Sequence, residues 1–201
     1  MIFITGGARS GKSGFAEKLA LQGGGAVTYI ATAEPGDGEM RRRIAEHQRR
    51  RPSDWRTVEA PLDLPDAVGA ALADGGGGST VLVDCLTVYL SNLLLSRMEL
   101  EPGPAASSAL EQQTDRLVEL CGAAQGQDGL GGDVAPGGGG GGASPAGGRL
   151  IIVSNEVGMG IVPDTALGRI FRDAAGRANQ RLAAAAEAVF LCVSGISVRI
   201  K

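Results

Sequence analysis

Apolar and polar positions divide the chain into two kinds of segment. Short apolar runs recur at 2–5 (IFIT), 27–31 (VTYIA), 81–84 (VLVD), 150–154 (LIIVS), 189–194 (VFLCVS) and 196–200 (ISVRI). Continuous runs of this length, rich in β-branched residues, are the pattern of strands buried on both faces. Helical spacing fills most of the gaps. Phe15, Ala16, Leu19 and Ala20 follow the first run, and Leu90, Leu93, Leu94 and Met98 follow the third. A further helix is expected at about 108–121. Leu167, Ile170, Phe171 and Ala174 make an apolar stripe that the alanines at 183–186 continue, with Asp164 placed to cap it. Strands alternating with helices predict an α/β fold, with a mainly parallel sheet and helices on both faces. Only a short break at Gly195 parts the last two runs, so the chain is expected to end in an antiparallel hairpin strand.

The length of 201 residues suits a single domain spanning 1–201 with a substantial core. One segment departs from the pattern. Residues 122–148 hold thirteen of the 33 glycines, including GGGGGG at 137–142. Such a stretch buries too little apolar surface to offset its ordering entropy, so it reads as a flexible surface insertion. GGGG at 75–78 is a shorter loop of the same kind.

Charge narrows the partners. A net charge of −3 gives no global basic signal for nucleic acid. No apolar run is long enough to span a membrane, and the first residues enter a strand without the layout of a secretory leader. Cys85, Cys121 and Cys192 are odd in number, far apart and set in apolar segments, so they read as buried thiols in a reducing cytoplasm.

The most chemical stretch is GGARSGKS at 6–13. Gly6 and Gly11 bracket four residues, and Lys12 and Ser13 follow, which is the spacing of a phosphate-binding loop. Glycines let backbone N–H groups turn inward onto phosphate oxygens, and the next helix adds the positive end of its dipole. Lys12 is expected on the β- and γ-phosphates and Ser13 on Mg²⁺. The short strand before the loop and the helix after it supply the required context. Asp84 ends an apolar strand, as a magnesium-holding carboxylate does in such enzymes; a helix-capping Asp would look the same.

The only histidine, His47, lies in EMRRRIAEHQRRRP. Met40, Ile44 and His47 fall on one helical face, which turns the imidazole inward. Arg41, Arg42, Arg43, Arg49, Arg50 and Arg51 crowd around it. Three readings stand: a solvated charged helix, a nucleic-acid patch disfavoured by the acidic total, and a nucleophile at a polyphosphate. Imidazole attacks phosphorus competently, and guanidinium groups stabilise the charge that develops. SNEVGMGIVP at 154–163 follows a strand, so it lies where ligands bind in open α/β sheets, and Asn155 and Glu156 are candidates to contact a second substrate. A tight turn before the next helix is the plain alternative.

Together, GGARSGKS, YIATAE (29–34), HQRRRP (47–52), WRTVE (55–59), VDCLTVYLSNLL (84–95), SNEVGMGIVP, FRDAAGRANQRLAAAA (171–186) and the closing VSGISVRIK resemble the bifunctional adenosylcobinamide kinase/adenosylcobinamide-phosphate guanylyltransferase family of cobalamin biosynthesis. The resemblance runs nearly end to end and fails at the Gly-rich segment and around 97–115. It implies a RecA-like P-loop fold and two reactions. A nucleoside triphosphate first phosphorylates the hydroxyl of the corrinoid's aminopropanol arm. GTP then donates GMP to that phosphate through a guanylylated histidine, for which His47 is the matching position, and pyrophosphate leaves. Nucleotide contacts are implied for Gly6, Gly7, Ala8, Arg9, Ser10, Gly11, Lys12 and Ser13. They are also implied for Ala31, Thr32, Ala33 and Glu34, for Gln48, Arg49, Arg50 and Arg51, and for Glu59 and Asp84. Mg²⁺ with ATP and GTP as substrates and a homo-oligomer, a trimer, are further implications. The family often has Glu where this chain has Asp84. Taken alone, the P-loop also fits a kinase for another metabolite, which would leave His47 dispensable, or a RecA-like regulatory ATPase that binds a protein or nucleic acid.

Overall fold

The computed structural model describes residues 1–36, 38–100, 104–125 and 148–201. Through them the chain runs β1 (Ile2–Gly6), α1 (Lys12–Gln22), β2 (Val27–Ala31), α2 (Gly38–Arg50), β3 (Arg56–Glu59), α3 (Leu64–Asp74) and β4 (Thr80–Asp84). It continues through α4 (Leu86–Leu100), α5 (Pro104–Gln125), β5 (Arg149–Val153), α6 (Ala166–Ala185), β6 (Ala188–Val193) and β7 (Ile196–Arg199). The strands form one sheet in the order β3-β2-β4-β5-β1-β6-β7. Every neighbouring pair is parallel except β6 and β7. The expected mainly parallel sheet with a closing antiparallel hairpin strand is therefore present. Ser194 and Gly195 make its turn with φ of 51° and 82°, the backbone hand that suits a two-residue hairpin.

The strand alternation divides the core in two. Ile2 and Ile4 face α1, where Ala16, Leu19 and Ala20 cover them. Phe3 and Ile30 face the other layer, into which α3, α4, α5 and α6 send Leu64, Leu90, Leu117 and Leu182. Side chains this deeply buried stabilise the fold by about 1.5–3 kcal/mol each. Helices thus lie on both faces, most of the apolar mass on one.

Three local expectations change. β3 went unread because RTVE offers one half-buried residue, Val58, on an edge strand of four. The helix expected at about 108–121 runs from Pro104 to Gln125, so its last residues take over the start of the stretch assigned to the Gly-rich insertion; residues 126–147 lie outside the described residues. Asp164 does not cap α6. Thr165 does, its hydroxyl accepting from the Gly168 N–H at 3.1 Å.

Among the described residues no helix is long and apolar enough to cross a membrane. The carboxyl ends of β1, β2, β4 and β5 share one edge of the sheet, with β5 between β1 and β4. That edge carries the site.

Candidate active site

The loop after β1 has the shape its sequence demands. At Gly6 a Cβ would come within 2.3 Å of the Cys192 carbonyl oxygen, so no side chain fits there. Gly11 takes φ 92° as the residue before α1, and no side chain caps that helix. The first-turn N–H groups of α1 are left without a side-chain cap, an arrangement suited to an anion. Lys12 is 9% exposed and donates from Nζ to the Gly7 carbonyl at 3.1 Å, so its stem folds back over the loop. The Ser10 hydroxyl is buried with no hydrogen-bond partner among the described residues. Ser13 is half-buried in the first helical turn, and Gly7, Ala8 and Arg9 form the exposed crest. The β6–β7 turn braces the loop from beside: the Gly195 N–H donates to the Ser10 carbonyl at 2.9 Å.

Two strands away, Asp84 closes β4. Its Oδ2 accepts the Tyr29 hydroxyl at 2.9 Å and lies 3.7 Å from His47 Nδ1. His47 is 31% exposed and Asp84 11%, so the pair is neither sealed off nor fully in water. The Arg51 guanidinium stacks 3.6 Å above the Tyr29 ring, and buried Trp55 lies beside it, with ring centroids 6.4 Å apart. Burial first, and then the negative charge of Asp84, hold the Tyr29 phenol well above its ordinary pKa, so it stays a donor. The inward turn expected of His47 is therefore found, aimed at the carboxylate that ends β4. Its helical companion Ile44 is half-buried, while the Met40 side chain lies outside the described residues.

Glu59, Ala31 and Asp84 form one row across β3, β2 and β4. Asp84 meets His47, whereas Glu59 is exposed. Thr32 is wholly buried, and its hydroxyl donates to the Cys85 carbonyl at 2.8 Å and accepts from the Cys85 N–H at 2.9 Å. It ties the end of β2 to that of β4. Ala33 is half-buried and Glu34 exposed. Gln48 and Arg49 are exposed on α2; Arg50 ends that helix, and its side chain lies outside the described residues. Burial and the Asp84 charge push the Cys85 thiol up to about 11, and the Lys12 ammonium pulls against them.

A polar chain runs beneath the loop. Thr87 and Ser154 share a hydroxyl contact at 3.1 Å, Ser154 donates to Asn179 Oδ1 at 2.7 Å, and the Asn179 amide donates to Glu156 Oε1 at 3.1 Å. Thr5 donates to the same oxygen at 2.7 Å. The Glu156 N–H donates to the Gly6 carbonyl at 3.1 Å. Beyond it, Met159, Ile161 and Val162 stand exposed. Asn179, Tyr29, Thr5 and Thr87 were not foreseen. Asn179 interrupts the apolar stripe of α6 between Ala175 and Leu182, and a lone polar residue there is a signal of a buried bond.

Cobinamide kinase / cobinamide phosphate guanyltransferase is the description of the family model that matches residues 2–127 and 143–200. The chain belongs to this family. It is an enzyme of the kinase and nucleotidyltransferase class. The unmatched gap falls in the Gly-rich segment. The bifunctional adenosylcobalamin biosynthesis protein CobP of Pseudomonas aeruginosa is 42% identical over 199 residues, 98% of this chain and 95% of that protein. The bifunctional adenosylcobalamin biosynthesis proteins CobU of Salmonella typhimurium and Escherichia coli K12 are 41% and 42% identical, covering 100% of this chain and 99% of each relative.

Solved structures show the fold alone. The type III secretion ATPase EscN of enteropathogenic E. coli, assembled with its stalk EscO, aligns at 14% identity with a TM-score of 0.51. The ATP synthase subunit NeqB of Nanoarcheaum equitans aligns at 13%, also with 0.51. Each covers 94% of this chain, which spans 41% and 44% of theirs. This cobinamide kinase / guanyltransferase family member therefore has the P-loop ATPase fold.

Proposed function

We propose that this chain phosphorylates adenosylcobinamide with a nucleoside triphosphate and then transfers GMP from GTP to the resulting phosphate, through a guanylylated His47, giving adenosyl-GDP-cobinamide and pyrophosphate. The observation that carries the reading is the meeting of His47 with Asp84 at the edge that also bears the P-loop. A kinase alone has no use for an oriented histidine there.

In this reading the P-loop N–H groups and Lys12 grip the triphosphate. The His47 imidazole attacks the α-phosphorus of GTP, the bond to the bridging oxygen breaks, and pyrophosphate leaves. Asp84 favours the positive charge the ring acquires, and the arginines of α2 balance the phosphate oxygens. The corrinoid phosphate then displaces His47 from phosphorus. Gln48, Arg49, Arg50, Arg51, Glu59 and the segment from Ala31 to Glu34 are assigned to the nucleotide.

Mg²⁺ suits the donors available. Among the described residues no group of three or more His, Cys, Asp or Glu gathers into a metal cage. Magnesium at a P-loop uses few protein ligands and relies on phosphates and water, and Ser13 and Asp84 would supply the protein's share. It would neutralise phosphate charge.

The same reading extends to assembly and place: a homotrimer working in the cytoplasm. Ile196 and Val198 on the exposed edge strand, with Ile200 just after it, are apolar surface that a second copy would cover, and light scattering should give three times the chain mass. The functional test is a two-stage assay. Adenosylcobinamide with ATP and Mg²⁺ should gain one phosphate by mass, and added GTP should convert it to the GDP form with one pyrophosphate released. Triphosphate hydrolysis without a modified corrinoid would overturn the reading.

A further inference from the structure

We propose that Glu156 takes the proton from the acceptor hydroxyl in the phosphorylation step. The proposal rests on the two-reaction reading above and assigns a residue that reading leaves without a role.

Three observations carry it. First, Glu156 is tied to the P-loop itself through its N–H on the Gly6 carbonyl, 3.1 Å away, while Lys12 holds the next carbonyl, Gly7, at 3.1 Å. The backbone of Glu156 and the Lys12 ammonium are thus anchored to adjacent peptides of the loop. Second, Thr5 and Asn179 both donate to Oε1, which fixes the carboxylate's direction, and neither bond uses Oε2. Third, Asn155 Oδ1 is buried with no hydrogen-bond partner among the described residues. An orphaned acceptor on the residue preceding an oriented carboxylate fits a donor group brought in by the substrate. The other edge carboxylates are placed differently. Asp84 faces Tyr29 and His47, and Glu59 and Glu34 are exposed at the ends of β3 and β2.

The chemistry balances. The acceptor O–H bond breaks and its proton passes to Glu156 Oε2. The hydroxyl oxygen bonds to the γ-phosphorus, and the bond from that phosphorus to the β–γ bridging oxygen breaks. The nucleoside diphosphate leaves with that electron pair, and the proton then passes to solvent. The second reaction needs no such base. A phosphate monoester is already largely ionised at neutral pH, with a second pKa of about 6. Glu156 is therefore required for one reaction of the two.

The test uses the full chain and the isosteric Glu156→Gln, whose amide oxygen still accepts from Thr5 and Asn179. Phosphorylation of adenosylcobinamide is measured beside guanylyl transfer to separately prepared adenosylcobinamide phosphate. The expected result is a fall of roughly 100-fold or more in kcat for phosphorylation, the range of a lost general base. KM for the triphosphate and the guanylyl transfer rate stay within about threefold of wild type on the same argument. Glu156→Asp, which keeps a carboxylate, should phosphorylate at least about tenfold faster than Glu156→Gln. Equal rates for Asp and Gln, retained phosphorylation in Glu156→Gln, or parallel loss of both reactions would overturn the proposal. A wild-type enzyme that phosphorylates no corrinoid would overturn the functional reading and this proposal with it.

Discussion

His47 Nδ1 and Asp84 Oδ2 lie 3.7 Å apart, across the space between α2 and the end of β4. The same carboxylate oxygen accepts the Tyr29 hydroxyl, and Arg51 stacks on the Tyr29 ring. A helix rich in arginine thus meets the sheet edge at one carboxylate. Asp84 has a partner on each side, which fixes where the histidine finds its counter-charge.

Tyr29→Phe removes the donor and leaves the ring under Arg51. The carboxylate loses a charge-assisted hydrogen bond worth about 1.5–3 kcal/mol. Guanylylation should slow roughly tenfold or more, since about 1.4 kcal/mol is a factor of ten. Phosphorylation should change by less than about threefold on the same scale. Single-turnover rates for the two reactions check this, and an unchanged guanylylation rate would argue against a link through Asp84.

Lys12→Ala should impair both reactions, because each begins with a bound triphosphate. Gly6→Ala should do more damage, since the new Cβ would sit 2.3 Å from the Cys192 carbonyl and the backbone must move. A stability loss above about 2 kcal/mol is expected from such overpacking. Urea titration reads the second effect and triphosphate binding the first; a Lys12→Ala protein with normal kinase rate would contradict the P-loop assignment.

The parts legible in the sequence were those encoded in contiguous residues. IFITGGARSGKS carries strand, loop and helix start in one stretch, and Gly195 marks the break before the last strand, though Ser194, read into the strand before it, shares the turn. β3 was hidden because an edge strand of four residues needs only one half-buried side chain, Val58. The α6 cap was misread by one residue, Thr165 for Asp164, since both types suit the role. His47 was legible as inward-facing, but its meeting with Asp84 was not, because the contact depends on how α2 lies over the sheet. The Thr5–Glu156–Asn179 network joins three distant segments, and no local pattern announces it.

Thr32→Val tests whether Thr32 braces the strand ends or serves the nucleotide directly. Its hydroxyl makes two bonds to Cys85 and is wholly buried. Loss of both should cost about 1–3 kcal/mol of stability. Triphosphate binding should weaken only as far as Asp84 shifts. Calorimetry showing unchanged stability with lost binding would reverse that assignment.

The thiols of Cys85 and Cys121 are pushed up to about 11, chiefly by burial. Folded protein at pH 8 then holds roughly a hundredth of the thiolate of an unshifted cysteine. Iodoacetamide should modify both residues at least about a hundredfold more slowly than in urea-unfolded chain, by the same ratio. Because the folded values are raised, this contribution to stability is full below pH 9 and is lost as pH climbs through about 11. Rapid alkylation at pH 8 would show that these segments open.

The most direct measurement is incubation with Mg²⁺ and GTP labelled at the α-phosphate, without corrinoid, followed by a denaturing gel. The account predicts label on the chain that is stable in alkali, lost in acid, and absent from His47→Ala, which should still phosphorylate adenosylcobinamide. An unlabelled wild-type chain that binds GTP, or equal labelling of His47→Ala, would contradict it.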